Sequence, residues 1–260
     1  MSKTLIIVIV AIVILGGLWF AFSGPGITNT YQTGTPTPAT PSTPSTPSTP
    51  GTYPPSSMGH GRAVFVVKDA ATTSMQGATS IVVTIDKVEV YSTTQGWVTV
   101  STAQKKFDLL KLKQSGSAAL LADTQLPTGT YDQIRLNIRT VEVIKTSGIA
   151  QEAKLPSHVL KIIGKVVVTD GKASTISIDF LADKSLHLTG NGTYILSPVI
   201  KLETRSEARV EIKADESVMI SSGRVEEDKD QGMDEKGEMK TDFELKGNLE
   251  VDTKNIIHLK

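Results

Sequence analysis

The feature that most limits how this chain can fold is the strict alternation in YDQIRLNIR at positions 131–139. One side of an extended strand would carry Ile134, Leu136 and Ile138, and the other side would carry Gln133, Arg135, Asn137 and Arg139. A period of two is typical of an antiparallel strand with one face on the core and one in solvent. We therefore expect an all-β fold, and we take the polar side of this strand as a candidate binding face, with an ordinary solvated face as the alternative.

Several other segments combine β-branched and aromatic residues with flanking turn formers, which predicts strands at positions 62–68, 80–91, 96–100, 165–170 and 172–180. The last two meet at Asp170-Gly171, and this dipeptide predicts a tight hairpin because it supplies the positive φ that such turns need. Only SAALL at positions 117–121 favours a helix, and it would be a short one.

Two irregularities are expected within the strands. Val141 and Val143 continue the apolar pattern of the 131–139 segment on the opposite parity, which predicts a β-bulge at positions 139–140. Pro198 lies inside GTYILSPVIKLET at positions 192–204 and cannot donate to a ladder. It therefore predicts an edge strand or a bulge.

Many short strands with almost no helix predict an antiparallel β-sandwich, with an immunoglobulin-like or transthyretin-like Greek key. We place this domain at positions 59–203. Positions 203–260 carry sixteen acidic and ten basic residues. We expect a charged appendage at 204–260 that is partly β or weakly ordered. The whole chain has zero formal net charge, so no nucleic-acid partner is predicted. Cysteine is absent, which excludes disulfides and thiolate metal sites.

The N-terminal segment predicts a membrane anchor. Positions 5–22 read LIIVIVAIVILGGLWFAF, without a charge, which is near the lower limit for a transmembrane helix. Lys3 precedes this segment and no positive charge follows it until Arg62, which predicts a cytoplasmic N-terminus and an external C-terminal domain. The alternative is a cleaved signal peptide, since Ala21-Phe22-Ser23 resembles a cleavage site, and the protein would then be secreted.

A stalk is expected between the anchor and the domain, at positions 24–58. The stretch TPTPATPSTPSTPSTPGTYPP at positions 35–55 has no charge and no large aliphatic residue. Repeated proline prevents helix and sheet formation, which predicts an extended, semi-rigid spacer. The Ser/Thr/Pro composition is typical of O-glycosylated stalks, and a bare linker is the alternative.

Positions 59–203 resemble domain-of-unknown-function family 4382. The resemblance is carried by TSIVVTIDKVEVYSTTQGWVTV (79–100), KFDLLKL (106–112), LPTGTYDQIRLNI (126–138), LPSHVLKI (155–162), IDFLADKSL (178–186) and GTYILSPVIKL (192–202). It implies an exported β-sandwich, usually anchored to a membrane, without an established activity. Members of the family often use a lipidated cysteine as anchor, and here the apolar segment would take that role. The family supplies no catalytic or ligand residues.

Few residues suggest chemistry. EEDKDQGMDE at positions 226–235 has the carboxylate density of a calcium loop, with Asp228, Asp230 and Asp234 as weak ligand candidates. Its spacing does not fit a helix-loop-helix site, and the alternative is a solvated loop or disordered run. Asn191 begins the sequon NGT and is a possible N-glycosylation site, or simply a hairpin turn. Trp97 is expected to plug the core or a sheet end, with ligand stacking as the alternative.

No catalytic motif is recognisable, so we do not expect an enzyme. The function that these features favour is a membrane-tethered β-sandwich for binding or adhesion at the cell envelope. Its partner would be an envelope polysaccharide or a surface protein. The alternative is a passive structural or assembly component of the envelope. No cofactor is expected apart from the weak calcium candidate.

Overall fold

The computed structural model describes residues 59–69, 77–245 and 247–259. The predicted anchor at 5–22 and stalk at 24–58 lie outside these residues. In the described part, the chain consists of strands joined by turns, with two short helices, so the all-β prediction is confirmed. None of the helices in this part has the length and hydrophobicity that a membrane span requires.

The described residues contain sixteen strands. The first eight are β1 (His60–Lys68), β2 (Ala78–Ser92), β3 (Gly96–Ser101), β4 (Lys105–Asp108), β5 (Ala118–Pro127), β6 (Gly129–Lys145), β7 (Ala150–Glu152) and β8 (Val159–Val168). The others are β9 (Ala173–Phe180), β10 (Leu186–Leu188), β11 (Tyr194–Leu196), β12 (Val199–Ile212), β13 (Ser217–Met233), β14 (Met239–Thr241), β15 (Leu249–Val251) and β16 (Ile257–Leu259). The helices are α1 (Leu109–Ser115) and α2 (Ala182–Ser185).

Two six-stranded sheets contain most of these strands. The first sheet has the order β12-β9-β1-β5-β13-β14, and β12 also pairs with β13, so its strand path closes on itself. The second sheet has the order β3-β2-β6-β7, with β4 beside β2 and β8 beside β6. The pair β1–β9 is parallel, so the prediction of purely antiparallel sheets is wrong there. More than a hundred residues separate these two strands, which is ample for the crossover that parallel pairing needs.

One main hydrophobic core draws residues from both sheets. On β6, the three aliphatic side chains of the alternating segment are at most 1% exposed, and the four polar side chains between them are not buried: Gln133, Arg135, Asn137 and Arg139. The alternation predicted for this strand is therefore confirmed. Phe65 on β1 and Phe180 on β9 are fully buried in the same core.

The predicted β-bulge is present. Thr140 pairs with Thr84 and Ile138 pairs with Ile85, so Arg139 has no partner in register on β2. The extra residue changes the parity of β6, which allows Val141 and Val143 to be fully buried as well.

Strand β1 is buried on both faces. Phe65 points into the main core, whereas Val64 and Val66, both fully buried, belong to a second cluster with Ala118 and Val218. Partly buried side chains from the turn-proximal ends of β12 and β13 complete that cluster: Val210, Ile212 and Ile220. The β12–β13 hairpin therefore covers the side of β1 that faces away from the main core. A continuous apolar run such as AVFVV is what a doubly buried strand requires.

The prediction of a hairpin at Asp170-Gly171 is wrong. Gly171 does adopt positive φ, at 63°, but the turn connects β8 in the second sheet to β9 in the first sheet. The turn docks on the start of β1, because the backbone N–H of Gly171 donates to the His60 carbonyl and the Asp170 carboxylate accepts from the His60 N–H. A turn dipeptide specifies the local reversal, whereas the pairing of the two flanking strands depends on which core each one enters.

The predicted helix at 117–121 is also wrong, because residues 118–121 form the start of β5. The helix lies just before it, at α1. Asp108 caps its first turn by accepting a hydrogen bond from the Lys111 N–H, and Gly116 ends it in the left-handed conformation. Ladder pairing with β1 decides the conformation of the 118–121 segment, and its weak helix propensity is overridden.

The C-terminal residues continue the first sheet. The boundary predicted at 203–204 falls inside β12, which runs without a break to Ile212. Met233 at the end of β13 is fully buried in the main core. The β15–β16 hairpin packs through Leu249 and Ile257 against Ile195. Both sheet pairing and core packing thus order this charged region.

The close approach of the β8–β9 turn to β1 gives a stability prediction. A Cβ atom at Gly61 would lie 2.4 Å from the Thr169 carbonyl oxygen, so Gly61→Ala must displace backbone. We expect the free energy of unfolding to fall by about 1–3 kcal/mol, as measured by urea denaturation. Gly190→Ala is the control, since nothing lies within 4 Å of that position and its φ is not positive. Equal stabilities for the two variants would contradict this account of the turn.

Candidate functional site

The polar side of β6 lies at the centre of an exposed grid on the second sheet. The strand register pairs each of three β6 residues with one residue on β2 and one on β8. We call this grid the outer face; its rows are Tyr91–Gln133–Ile163, Glu89–Arg135–Lys161 and Lys87–Asn137–Val159. Three of the four residues predicted as a binding face therefore lie together.

Arg139, the fourth predicted residue, lies at the bulge. Its Nη1 atom is 3.9 Å from Oδ2 of Asp86, and its side chain is largely exposed. Asp86 is itself skipped by the β2–β6 register, so the ion pair joins the two irregular positions of the strand pair. Such an exposed pair contributes little to stability.

Arg135 is held in place by an aromatic ring and a carboxylate. Its guanidinium carbon lies 3.8 Å from the centroid of the Trp97 ring, and its Nη1 is 3.5 Å from Oε2 of Glu89. Tyr91 supports Trp97, with ring centroids 5.2 Å apart. Stacking on an indole gives a cation–π contact and fixes the plane of the guanidinium. Arg135 therefore presents a planar charged group in one orientation.

Of the two positions expected for Trp97, the core and a sheet end, the core is wrong. Trp97 is 38% exposed on β3, across from Tyr91 in the strand register. It follows the short β2–β3 turn, and Gly96 has positive φ at the point where the chain reverses. Its position beside Arg135 places an aromatic surface at one end of the outer face.

A groove of about 620 Å³ crosses the outer face. The β2, β6 and β8 strands form its floor, and the β13–β14 turn forms a wall with Lys236 and Glu238. Gly237 permits this arrangement, because a Cβ atom there would lie 2.6 Å from Cβ of Ser157. Asp234 fixes the conformation of the turn, because its Oδ1 accepts hydrogen bonds from the backbone N–H groups of Lys236 and Glu238.

The groove carries more positive than negative charge. Its cationic side chains are Lys87, Arg135, Lys161 and Lys236, and its acidic side chains are Glu89 and Glu238. Glu89 is already engaged, with its Oε1 2.7 Å from Lys87 Nζ and its Oε2 near Arg135. Nε of Arg135 is shielded from solvent and has no hydrogen-bond partner among the described residues. The site can therefore accept an anionic group.

The acidic run at 226–235 is mainly a strand, and the interpretation as a loop or disordered segment is wrong for residues 226–233. Asp228 lies 3.0 Å from Lys201 on β12, which pairs with β13. Asp234 is almost fully buried. It accepts hydrogen bonds from the β13–β14 turn and forms an ion pair with Lys240. Burial opposes the ionised form of Asp234, but Lys240 and the turn N–H groups lower its pKa overall.

A calcium cage is not assembled among these carboxylates. Asp228 and Asp230 follow the period of an extended strand, and Asp234 serves the next turn. In residues 59–69, 77–245 and 247–259, no group of three or more acidic, histidine or cysteine side chains is arranged to hold a metal ion. Calcium needs six to eight oxygen ligands around one centre, and the side chains of a paired strand do not come together in that way.

Glu226, at the start of the acidic run, has a shielded carboxylate that accepts several hydrogen bonds. Its side chain is only 6% exposed and accepts hydrogen bonds from Ser206 Oγ, Lys165 Nζ and Arg224 Nε. These three donors, with Ser206 contributing most, lower the pKa of Glu226 to about 2. Lys165 belongs to β8 of the second sheet, so this carboxylate links the two sheets at their margin.

Asn191 lies in the exposed turn between β10 and β11. Its Oδ1 accepts hydrogen bonds from Thr189 Oγ1 and from the Thr193 backbone N–H, and Gly192 has positive φ. The predicted Asn-Gly turn is therefore present. Modification of Asn191 stays a prediction.

Sequence reasoning missed the partners of β6 in the candidate site. Lys161 and Lys236 come from separate segments, and neither lies in a motif that indicates binding. The place of Trp97 beside the outer face could have been predicted from its hairpin, because the β2–β3 turn sets it opposite Tyr91 on the face that also carries Glu89.

Comparison with known proteins gives one family. A family model described as "Domain of unknown function (DUF4382)" matches residues 60–198, which is more than half of the chain. No curated protein and no solved structure matches. The match ends immediately before β12, so the strands that cover β1 and form the groove wall lie beyond it.

The environment of Glu226 gives a pH prediction. Because its pKa falls from an ordinary 4.5 to about 2 on folding, its stabilising effect is complete above about pH 4.5 and is lost as pH falls towards 2. Glu226→Gln should lower the free energy of unfolding by about 1–3 kcal/mol at pH 7. The difference from the wild type should shrink at about pH 2.5.

Urea denaturation at several pH values measures this difference. Glu211→Gln is the matched control, since Glu211 is exposed on β12 and should show no effect at any pH. A gap between wild type and Glu226→Gln that does not depend on pH would contradict the assignment.

Proposed function

We propose that the chain, which belongs to the DUF4382 family, is a binding or adhesion module that is tethered to the membrane and displayed outside the cell. The outer face of the second sheet would be its binding surface, and its partner would be a component of the cell envelope. The family name carries no activity, so the proposal depends on the geometry of this face and on the N-terminal sequence. It assigns no catalytic step.

The observation that carries the proposal is the fixed position of Arg135. Binding through a surface arginine usually costs free energy, because the side chain loses conformational entropy. Here, Trp97 and Glu89 hold the guanidinium before any ligand arrives. The groove beside it contains further cations and a wall from a separate segment, Lys236–Glu238. A preorganised, open and charged groove is typical of a recognition surface.

The proposed display follows from the first 58 residues. Positions 5–22 would anchor the chain in the membrane with the N-terminus in the cytoplasm, and the Ser/Thr/Pro segment would hold the folded domain away from the surface. Cleavage after the apolar segment would give a secreted form of the same module.

The architecture that we propose for the displayed module is a β-sandwich. Two facing sheets that share one core support this description. The immunoglobulin-like or transthyretin-like Greek key remains the proposed topology, with the parallel β1–β9 pair as a departure from a purely antiparallel arrangement.

The proposal is tested by retention on envelopes. The labelled full-length chain, reconstituted in nanodiscs of neutral lipid, is incubated with isolated envelopes of its source cell and sedimented. We expect saturable retention that Arg135→Ala reduces by about tenfold, because loss of an anchoring charge typically costs at least that much. Arg209→Ala is the matched control, since Arg209 is an exposed arginine of the other sheet.

Parallel samples with calcium and with a chelator test the weak calcium candidate. Loss of retention in chelator would assign a metal-dependent role to Asp228, Asp230 or Asp234. Absence of saturable retention would contradict the binding proposal and favour a passive structural component. Equal effects of the two arginine variants would show that general charge, and not the outer face, is responsible.

A further inference from the structure

The geometry of the Arg135 side chain indicates what kind of ligand group the groove would bind. One of its nitrogen atoms faces Glu89 at 3.5 Å, which is a long contact for a charged pair. Its Nε is shielded from solvent, so a ligand would reach the part of the side chain that stays exposed. The planar guanidinium fork matches carboxylate and sulfate groups there.

The other cations of the groove are spread out and do not form one pocket. Lys161 lies directly across from Arg135 on β8, Lys87 lies on β2, and Lys236 reaches in from the β13–β14 turn. Neighbouring strands are about 4.8 Å apart, so β2 and β8 place their cations roughly 10 Å apart across β6. Such spacing suits a polymer with repeated negative charges better than a single small anion.

Neutral and aromatic groups lie between these charges. Asn137 and Ser157 line the groove and can exchange hydrogen bonds with hydroxyl groups. Trp97 is 38% exposed, so part of its indole stays accessible beside the Arg135 guanidinium that stacks on it. A chain of sugar rings presents both hydroxyl groups and apolar ring faces, so it fits this mixture of partners.

From these observations we infer that the outer face binds an acidic polysaccharide, with Arg135 and Lys161, which lie on neighbouring strands, contacting its carboxylate or sulfate groups. The inference depends on the proposed binding function and names the ligand class. With four cationic and two acidic side chains, the groove has only a small excess of positive charge, which is too little for the dense phosphate backbone of a nucleic acid. The zero net charge of the chain supports the same conclusion.

The test measures binding of the full-length chain in non-ionic detergent to immobilised polymers by biolayer interferometry. The probes are polygalacturonate, dextran sulfate, uncharged dextran and double-stranded DNA. We expect saturable binding to one or both acidic polysaccharides, weakening as salt is raised, because exposed charge interactions are screened. The two acidic polymers distinguish a carboxylate from a sulfate as the recognised group. Uncharged dextran and DNA should bind at least about tenfold more weakly.

Three variants show whether the outer face is responsible. Arg135→Ala should weaken binding by about tenfold or more, and Arg135→Lys should not restore it, since lysine lacks the planar fork. Lys161→Ala should weaken binding by about two- to fivefold and is expected to fold normally, because this lysine is exposed and forms no ion pair with another described residue. Arg209→Ala should bind as the wild type does.

The outcomes separate the two proposals. Absence of binding to both acidic polymers overturns the inference, and so does equal binding to DNA or an equal loss in Arg209→Ala. If envelopes still retain the chain through Arg135 in that case, the binding function stands and the ligand belongs to another class. If Arg135→Ala does not fold, an unchanged affinity in Lys161→Ala overturns the inference independently.

Discussion

The structure depends on the burial of β1 on both faces. Phe65 packs into the core between the sheets, while Val64 and Val66 pack under the β12–β13 hairpin. Because β1 pairs with β5 on one side and β9 on the other, any loss of its packing would affect both halves of the first sheet. Burial of these aliphatic side chains and one phenylalanine stabilises the fold by about 2 kcal/mol for each side chain. The C-terminal strands are therefore part of the fold.

The same packing determines which surface is free. One face of the first sheet is on the core and the other is partly covered by its own hairpin, whereas the outer face of the second sheet is open around Arg135. The apolar side of β6 fixes the register with β2 and β8, and this register places Glu89 and Lys161 beside Arg135. The β13–β14 turn, held by Asp234, then adds a wall from the first sheet. Core packing and the candidate site are thus consequences of one register.

Sequence reasoning succeeded where the signal was local and periodic. The alternation in β6 and the parity change at Arg139 both follow from side chains that must choose between two faces of a strand. It failed where several pairings were locally possible. The Asp170-Gly171 turn reverses the chain but delivers β9 to a different sheet from β8. The density of acidic residues at 226–235 predicts a loop or a disordered run, but cross-strand cations such as Lys201 allow this segment to pair along β12.

The amino-acid sequence by itself determined the all-β character, the family, the exposed side of β6 and the positions of several turns, because these depend on periodicity and on residues with restricted backbone angles. Only the tertiary structure decided the pairing partners of β1, the pairing of the C-terminal strands and which residues surround Arg135. Those features join segments separated by tens to more than a hundred residues. Their selection depends on how buried faces fill a common core, which no single segment specifies.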